Sequence, residues 1–276
     1  MTSDLNGIYN AALLLYALSL LFYFSDCVKR NPERKRLGTG LLVMTGLLQS
    51  AGLGIRFYEV RGLPVFTPYD FLFGFSFTIV LVSLALSLMK RSEFTVLLLG
   101  TAGFSVFLLN RFWLTAEDHK LQSWEAVHGW LSLHVILANL SFAALTLGAV
   151  FAVMYLFLHA RLKHKKWSDP VRRLPSLEIL DQYSYTSVLA GMPLLAGSLI
   201  VAGISIISEG RLKLFLDLKV LSTLIGLGIY ITYYVIRRSG RYSGIVIARW
   251  AVSGYGFIIL NFLLNSWSRF HRWGGE

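Results

Sequence analysis

The sequence predicts an all-α, polytopic membrane protein of about eight transmembrane helices with both termini outside, forming one integral membrane domain over residues 1–276. Three observations carry this expectation. Hydrophobic residues fill 55% of the chain and charged ones only 15%, with a positive mean hydropathy, which lies outside the usual range of a soluble domain. Eight stretches with few or no charges approach the roughly twenty residues that cross the hydrocarbon of a bilayer. Lys and Arg collect in every second connection between them. Because only helices satisfy their own backbone groups in lipid at such lengths, each stretch reads as a helix of one bundle.

The first segment, Ile8 to Phe24, lacks the basic start of a signal peptide, and no small-residue cleavage site precedes "CVKRNPERKR", so it reads as a retained helix. The second and third are Leu37 to Ile55 and Phe71 to Leu88. Between them "RFYEVRGLPVFTPYD", Arg56 to Asp70, reads as an outer loop whose Gly62, Pro64 and Pro68 stop one helix and launch the next. The fourth is Phe94 to Leu109, and the fifth runs from His134 to Leu158 with an imidazole at each border, His134 and His159. In the connection that follows, Ala160 to Tyr185, Leu177, Leu180 and Tyr183 have helical spacing. That stretch reads either as a short helix lying on the membrane surface or as a plain interfacial linker. The sixth segment, Ser187 to Ile207, contains Gly191, Pro193 and Gly197, residues frequent in membrane helices and weak as a transporter signal. The seventh and eighth are Leu218 to Ile236 and Ile245 to Trp267, with Arg249 one turn inside the last and expected to snorkel outward.

Orientation follows from the connections after the first, third, fifth and seventh segments. They hold sixteen Lys and Arg against six Asp and Glu, whereas the other side holds nine of each. Nearly all of the +11 excess is therefore on one side, which the positive-inside rule makes cytoplasmic. Nucleic acid is not indicated as a partner, because these cations are split among short loops that topology already explains. The lipid bilayer is. Cys27 is the only cysteine, so intramolecular dithiol exchange is excluded.

On this topology His159 and His164 fall in the cytoplasmic "LHARLKHKK", while His119, His128, His134 and His271 fall at the outer face. His159 reads as an imidazole solvating a helix end in a basic cluster. His134 and His271 begin the fifth segment and follow the eighth at the same surface, so the two could ligate one haem iron from opposite sides. Interfacial imidazoles without metal are the other reading of the same positions. No midhelix acid or lysine is present for charge-coupled transport, which ranks a small-solute transporter last among the functions considered.

Four stretches carry a resemblance. "WLSLHVILANLSFAAL" is similar to the histidine-led helix of the cytochrome c assembly family (the CcsA/ResC type), and "LDQYSYTSVLAGMPLLAGSLIVAGI" resembles its "LDxLSYRxIxxGFPLLTxGLxxGA". "NFLLNSWSRFHRWG" and "RFYEVRGLPVFTPYDFLF" resemble that family's terminal and early motifs, in the right order. With "YALSLLFYFSDCVKRN" near its start, the chain looks most like the HemX branch of Gram-positive bacteria. The resemblance implies a bacterial cell-membrane protein, not an enzyme, with His134 and His271 as axial haem ligands at the outer surface. It also implies that the chain holds down the amount of glutamyl-tRNA reductase, a soluble enzyme reachable only through the cytoplasmic loops. The alternative it implies is a subunit of a cytochrome c haem-ligation system acting with a biogenesis partner. One departure stands out: where the family carries a tryptophan-rich outer loop, "WGxxWxWDPKE", this chain reads "SEGRLKLFLDLKV", keeping Asp217 and Lys219 with Phe215 as the only aromatic. A third family histidine is replaced near Val235.

The orientation has a direct check. Cysteine probes at Thr115 and Gly240 are expected to react with an impermeant thiol reagent from outside only at Thr115, and labelling of intact cells at Gly240 alone would reverse the topology.

Overall fold

The computed structural model describes residues 3–65, 67–89, 91–113, 129–165, 168–208, 210 and 212–264. Every regular element among them is helical: α1 (Ser3–Val28), α2 (Pro32–Val60), α3 (Pro68–Ser87), α4 (Glu93–Trp113), α5 (Gly129–Lys163), the short α6 (Asp169–Arg172), α7 (Leu177–Ser208), α8 (Leu218–Ser239) and α9 (Gly244–Leu264), with a 3₁₀ turn at Leu212–Leu216. Seven of these, α1 to α5, α7 and α8, are long and apolar enough to cross a membrane; α9 is a shorter apolar helix over Gly244–Leu260. The all-α, polytopic architecture expected from the sequence is the one found. The end of the expected eighth segment, through Trp267, lies outside the described residues.

The chain divides into two compact units, Met1–Val127 with Trp167–Pro175, and His128–Lys166 with Ser176–Glu276. In the first, α1 buries a tyrosine at every seventh position, Tyr9, Tyr16 and Tyr23. Seven residues are close to two turns, so all three point the same way. Tyr9 stacks on Phe107 of α4 with ring centroids 4.1 Å apart, and its hydroxyl donates to the Phe107 carbonyl at 2.7 Å. Tyr16 needs the bare backbone of α4: a Cβ at Gly103 would lie 2.6 Å from the tyrosine hydroxyl. Tyr23 meets the Thr39 hydroxyl of α2 at 2.7 Å.

The turn between α1 and α2 is capped at both ends. Asn31 donates its backbone N–H to Asp26 at 2.7 Å and accepts from the Glu33 N–H at 2.9 Å, and Pro32 sits at the first helical position, where a missing N–H costs nothing.

The loop expected from Arg56 to Asp70 is much shorter than the sequence suggested. α2 continues to Val60 and ends on Arg61 in the left-handed conformation, while α3 begins at Pro68, with the Thr67 hydroxyl accepting the Asp70 N–H at 3.0 Å. Both borders of the expected loop are therefore helical and buried. Arg56 is 4% exposed and its Nε donates to Asp70 Oδ1 at 3.1 Å, with Glu59 at 3.3 Å from a second guanidinium nitrogen. The physical reason for the extension is this pair: a charge this deep is tolerated when another neutralises it, so the helices carry both partners inward together.

The connection Ala160 to Tyr185 also departs from expectation. Neither a separate surface helix nor a plain linker is found at "PSLEILDQYSY", because α7 starts at Leu177 and runs without a break to Ser208, through Pro193. Leu180 is fully buried and Asp181 pairs with Arg237 of α8 at 2.5 Å, and both contacts need the helix to begin early. In the second unit α9 closes against α5 and α8: a Cβ at Gly244 would collide with the Tyr155 hydroxyl, and one at Gly254 would lie 3.0 Å from the Tyr230 ring.

Replacing Asp70 with Ala strands a buried guanidinium. The expected loss is about 3 kcal/mol, the low end of the range for broken buried pairs because Glu59 stays in place, read as a lower unfolding midpoint in detergent. Arg56→Met with Asp70→Leu is expected to recover most of it; equal losses in the single and double variants would mean that the pair is not what joins α2 to α3.

Candidate functional site

α5 and α7 run antiparallel and touch through a ladder of small and polar residues. Gly148 of α5 faces Ser184 of α7, Ser141 faces Gly191, and His134 faces Ser198, with each rung seven residues from the next on both helices. On the first rung the Ser184 hydroxyl donates to the Gly148 carbonyl at 2.9 Å, and on the second the Ser141 hydroxyl donates to the Gly191 carbonyl at 2.9 Å. The glycines set the separation. A Cβ at Gly148 would sit 2.9 Å from Val188, and one at Gly191 would sit 2.7 Å from Leu145. In lipid, where apolar surface alone gives helices no reason to associate, close backbone approach and hydroxyl-to-carbonyl bonds are what hold a pair together.

The third rung holds His134. His134 Nδ1 lies 2.9 Å from the Ser198 carbonyl oxygen and 2.9 Å from its hydroxyl, and that hydroxyl is 3.1 Å from the His134 carbonyl. Ser198 is 2% exposed and His134 half-buried. A carbonyl oxygen only accepts. An unprotonated Nδ1 at this distance would set lone pair against lone pair, so Nδ1 carries the proton and donates it to the Ser198 carbonyl, while the serine hydroxyl is satisfied by donating to the His134 carbonyl. The ring then bears its lone pair on Nε2. Metal-ligating histidines are commonly oriented in this way, with the second ring N–H held by a backbone carbonyl. Ser198 was not singled out in the sequence, although the spacing Ser184, Gly191, Ser198 against Ser141 and Gly148 was visible there.

The other sequence candidates fall as follows. His271, the expected second ligand, lies outside the described residues, as do His119 and His128. His159 stands at the opposite end of α5, about 37 Å from His134 at 1.5 Å per residue, with its ring 6.3 Å from that of Tyr155. His164 follows the end of α5 and is exposed. Phe215, in the 3₁₀ turn, lies over Gly203 of α7, where a Cβ would touch its ring at 3.8 Å. The Asp217 carbonyl accepts the Leu221 N–H at 3.1 Å, which opens α8. Arg249 is exposed on α9. Among the described residues no group of three or more His, Cys, Asp and Glu converges, so no metal centre built from such a cluster is found there.

Residues 66–271 match the family described as Cytochrome C assembly protein, a span that includes His134 and reaches His271. The chain belongs to the cytochrome c assembly protein family. It is 34% identical over 274 residues to Protein HemX of Brevibacillus brevis, covering 98% of this chain and 99% of that one. Against Protein HemX of Bacillus subtilis (strain 168) it is 32% identical over 260 residues, 94% of each chain. Similarity to Cytochrome c biogenesis protein CcsA of Nostoc punctiforme is narrower, 28% over 160 residues, covering 55% of this chain and 44% of that one. Helices α1 and α2 precede the family match, yet the full-length similarity to the HemX proteins takes them in.

Proposed function

We propose that the chain is a HemX-like, non-enzymatic protein of haem metabolism in the bacterial cell membrane, which binds haem at its outer face through His134 and His271 and lowers the level of glutamyl-tRNA reductase through its cytoplasmic loops. The observation that carries the haem part is the third rung: the Nδ1–H of His134 is committed to the Ser198 carbonyl, which leaves Nε2 as the nitrogen that would meet iron. The donor set fits the group, since neutral imidazole is a common axial ligand and two imidazoles suffice without the family's indoles. When bound, haem would supply a redox-active iron whose occupancy can report haem supply. What the chain itself does is hold one imidazole in one tautomer and one orientation at the end of a stiff helix pair. The similarity to the HemX proteins over nearly their whole length supports the regulatory half of the reading.

A second reading is a subunit of a cytochrome c haem-ligation system, favoured by the family match and by the similarity to CcsA. Against it stands "SEGRLKLFLDLKV", which has no tryptophan where the family's outer loop offers flat indoles to the haem. Phe215 packs on Gly203 instead.

Two experiments test these readings. Detergent-purified protein reconstituted with haem is expected to give a low-spin, six-coordinate absorption spectrum; His134→Ala or His271→Ala changes it and His159→Ala leaves it intact. A variant lacking both His134 and His271 that keeps the parent's haem content and spectrum would eliminate the site. In a deletion strain, raised glutamyl-tRNA reductase with normal covalent c-type cytochromes is expected. Lost c-type cytochromes with unchanged reductase would favour haem ligation over regulation.

A further inference from the structure

At one border of the first unit, cations stand beside exposed apolar side chains. Between the start of α2 and the end of α3 lies an open groove of about 420 Å³, with Lys35 and Arg36 toward one end, Val43 toward the other, and Thr39, Gly40, Ser87 and Leu88 between. The groove changes character along its length. Arg36 is exposed and belongs to Lys29–Arg36, which holds five cations against the single carboxylate of Glu33. Lys35 is paired with Glu93 of α4 at 2.7 Å, so the uncompensated charge at the mouth is that of Arg36 and its neighbours. About 10 Å further along the helix, at the 1.5 Å rise per residue, Val43 is 42% exposed, and between the cations and Val43 the Leu88 side chain on the opposite wall is 87% exposed. Because α2 is long and apolar enough to cross a membrane, that apolar end lies toward hydrocarbon while the cations stay at its border.

We propose that this groove binds an anionic phospholipid, its phosphate at Arg36 and one acyl chain laid past Gly40 against Val43 and Leu88. Charge complementarity selects the head group: clusters of Lys and Arg at the end of a membrane helix attract anionic lipid by about 1 kcal/mol per cation near the surface. The apolar half of the groove selects a lipid over free phosphate, which would use only the cationic end. Gly40 keeps the floor open. A Cβ there meets nothing within 4 Å, so a larger side chain is accommodated by the fold and occupies the space meant for the chain. Leucine also favours helix over glycine, so this variant is expected to fold at least as well as the parent.

The test is native mass spectrometry of the full-length, detergent-purified protein titrated separately with phosphatidylglycerol, phosphatidylcholine and inorganic phosphate. The parent is expected to retain one phosphatidylglycerol, to retain phosphatidylcholine severalfold less, and to lose none of the lipid to millimolar phosphate. Arg36→Gln is expected to weaken phosphatidylglycerol binding about fivefold, the equivalent of one surface cation, and Gly40→Leu by at least as much, while Arg238→Gln in the other unit has no effect. Should Gly40→Leu fold poorly, Gly40→Ala provides a milder block beside Arg36→Gln. Three results would each overturn the proposal: undiminished phosphatidylglycerol binding in folded Gly40 and Arg36 variants, equal retention of phosphatidylcholine, or displacement of the lipid by phosphate, which would make this a free-anion site.

Discussion

The contact on which the rest of the second unit depends is the close approach of α5 and α7 at Gly148 and Gly191. Once the two backbones are near enough for serine hydroxyls to reach carbonyls across the seam, every seventh residue on each helix is in register with a partner. Antiparallel helices stepping together by seven can be extended in either direction, and the step after Ser141 and Gly191 lands on His134 and Ser198. The tautomer of His134 is thus a consequence of helix packing. Sliding α7 by a single turn, about 5.4 Å, would separate Nδ1 from the Ser198 carbonyl and leave the imidazole free to take either protonated form.

The first unit is held by a different device. Its close contacts are aromatic and ionic: three tyrosines down α1, glycines on α4 that admit Tyr16, and the buried pair of Arg56 and Asp70 between α2 and α3. The guanidinium of Arg56 also lies 5.7 Å from the centre of the Tyr69 ring, which spreads its charge over a second neighbour. A buried pair adds little to stability by itself, but it makes separation of the two helices costly, because either charge alone would face lipid. Of these helices α1 and α2 precede the stretch shared with the cytochrome c assembly family, whereas α3 and α4 lie inside it; all four fall within the stretch shared with the HemX proteins.

How legible all this was in the sequence depends on the kind of signal. Helices were readable because uncharged runs near twenty residues have few other uses. Their ends were not, since an absence of charge marks hydrocarbon rather than helix. α2 and α7 both reach past the uncharged core, in one case to bury Arg56 against Asp70 and in the other to set Asp181 against Arg237. A charge in the sequence looks like a boundary until its partner on another helix is known. His134 was readable as a candidate from its position, but Ser198 was not, because serine in a membrane helix is ordinary and its meaning here comes from the residue it faces.

The two histidines that border the fifth segment show why position along a helix is a poor guide to chemistry. Both stand near an end of α5, on the same continuous helix. At His159 the ring lies 6.3 Å from that of Tyr155, one turn back on the same helix. At His134 the ring donor meets a carbonyl on α7, a helix held to α5 by two further rungs. The same logic bears on the missing indoles. In this chain the one aromatic of "SEGRLKLFLDLKV", Phe215, covers Gly203 and so packs on α7, the helix that also supplies the Ser198 carbonyl. The aromatic side chain that remains in this stretch is thus committed to helix packing, as the ring donor of His134 is.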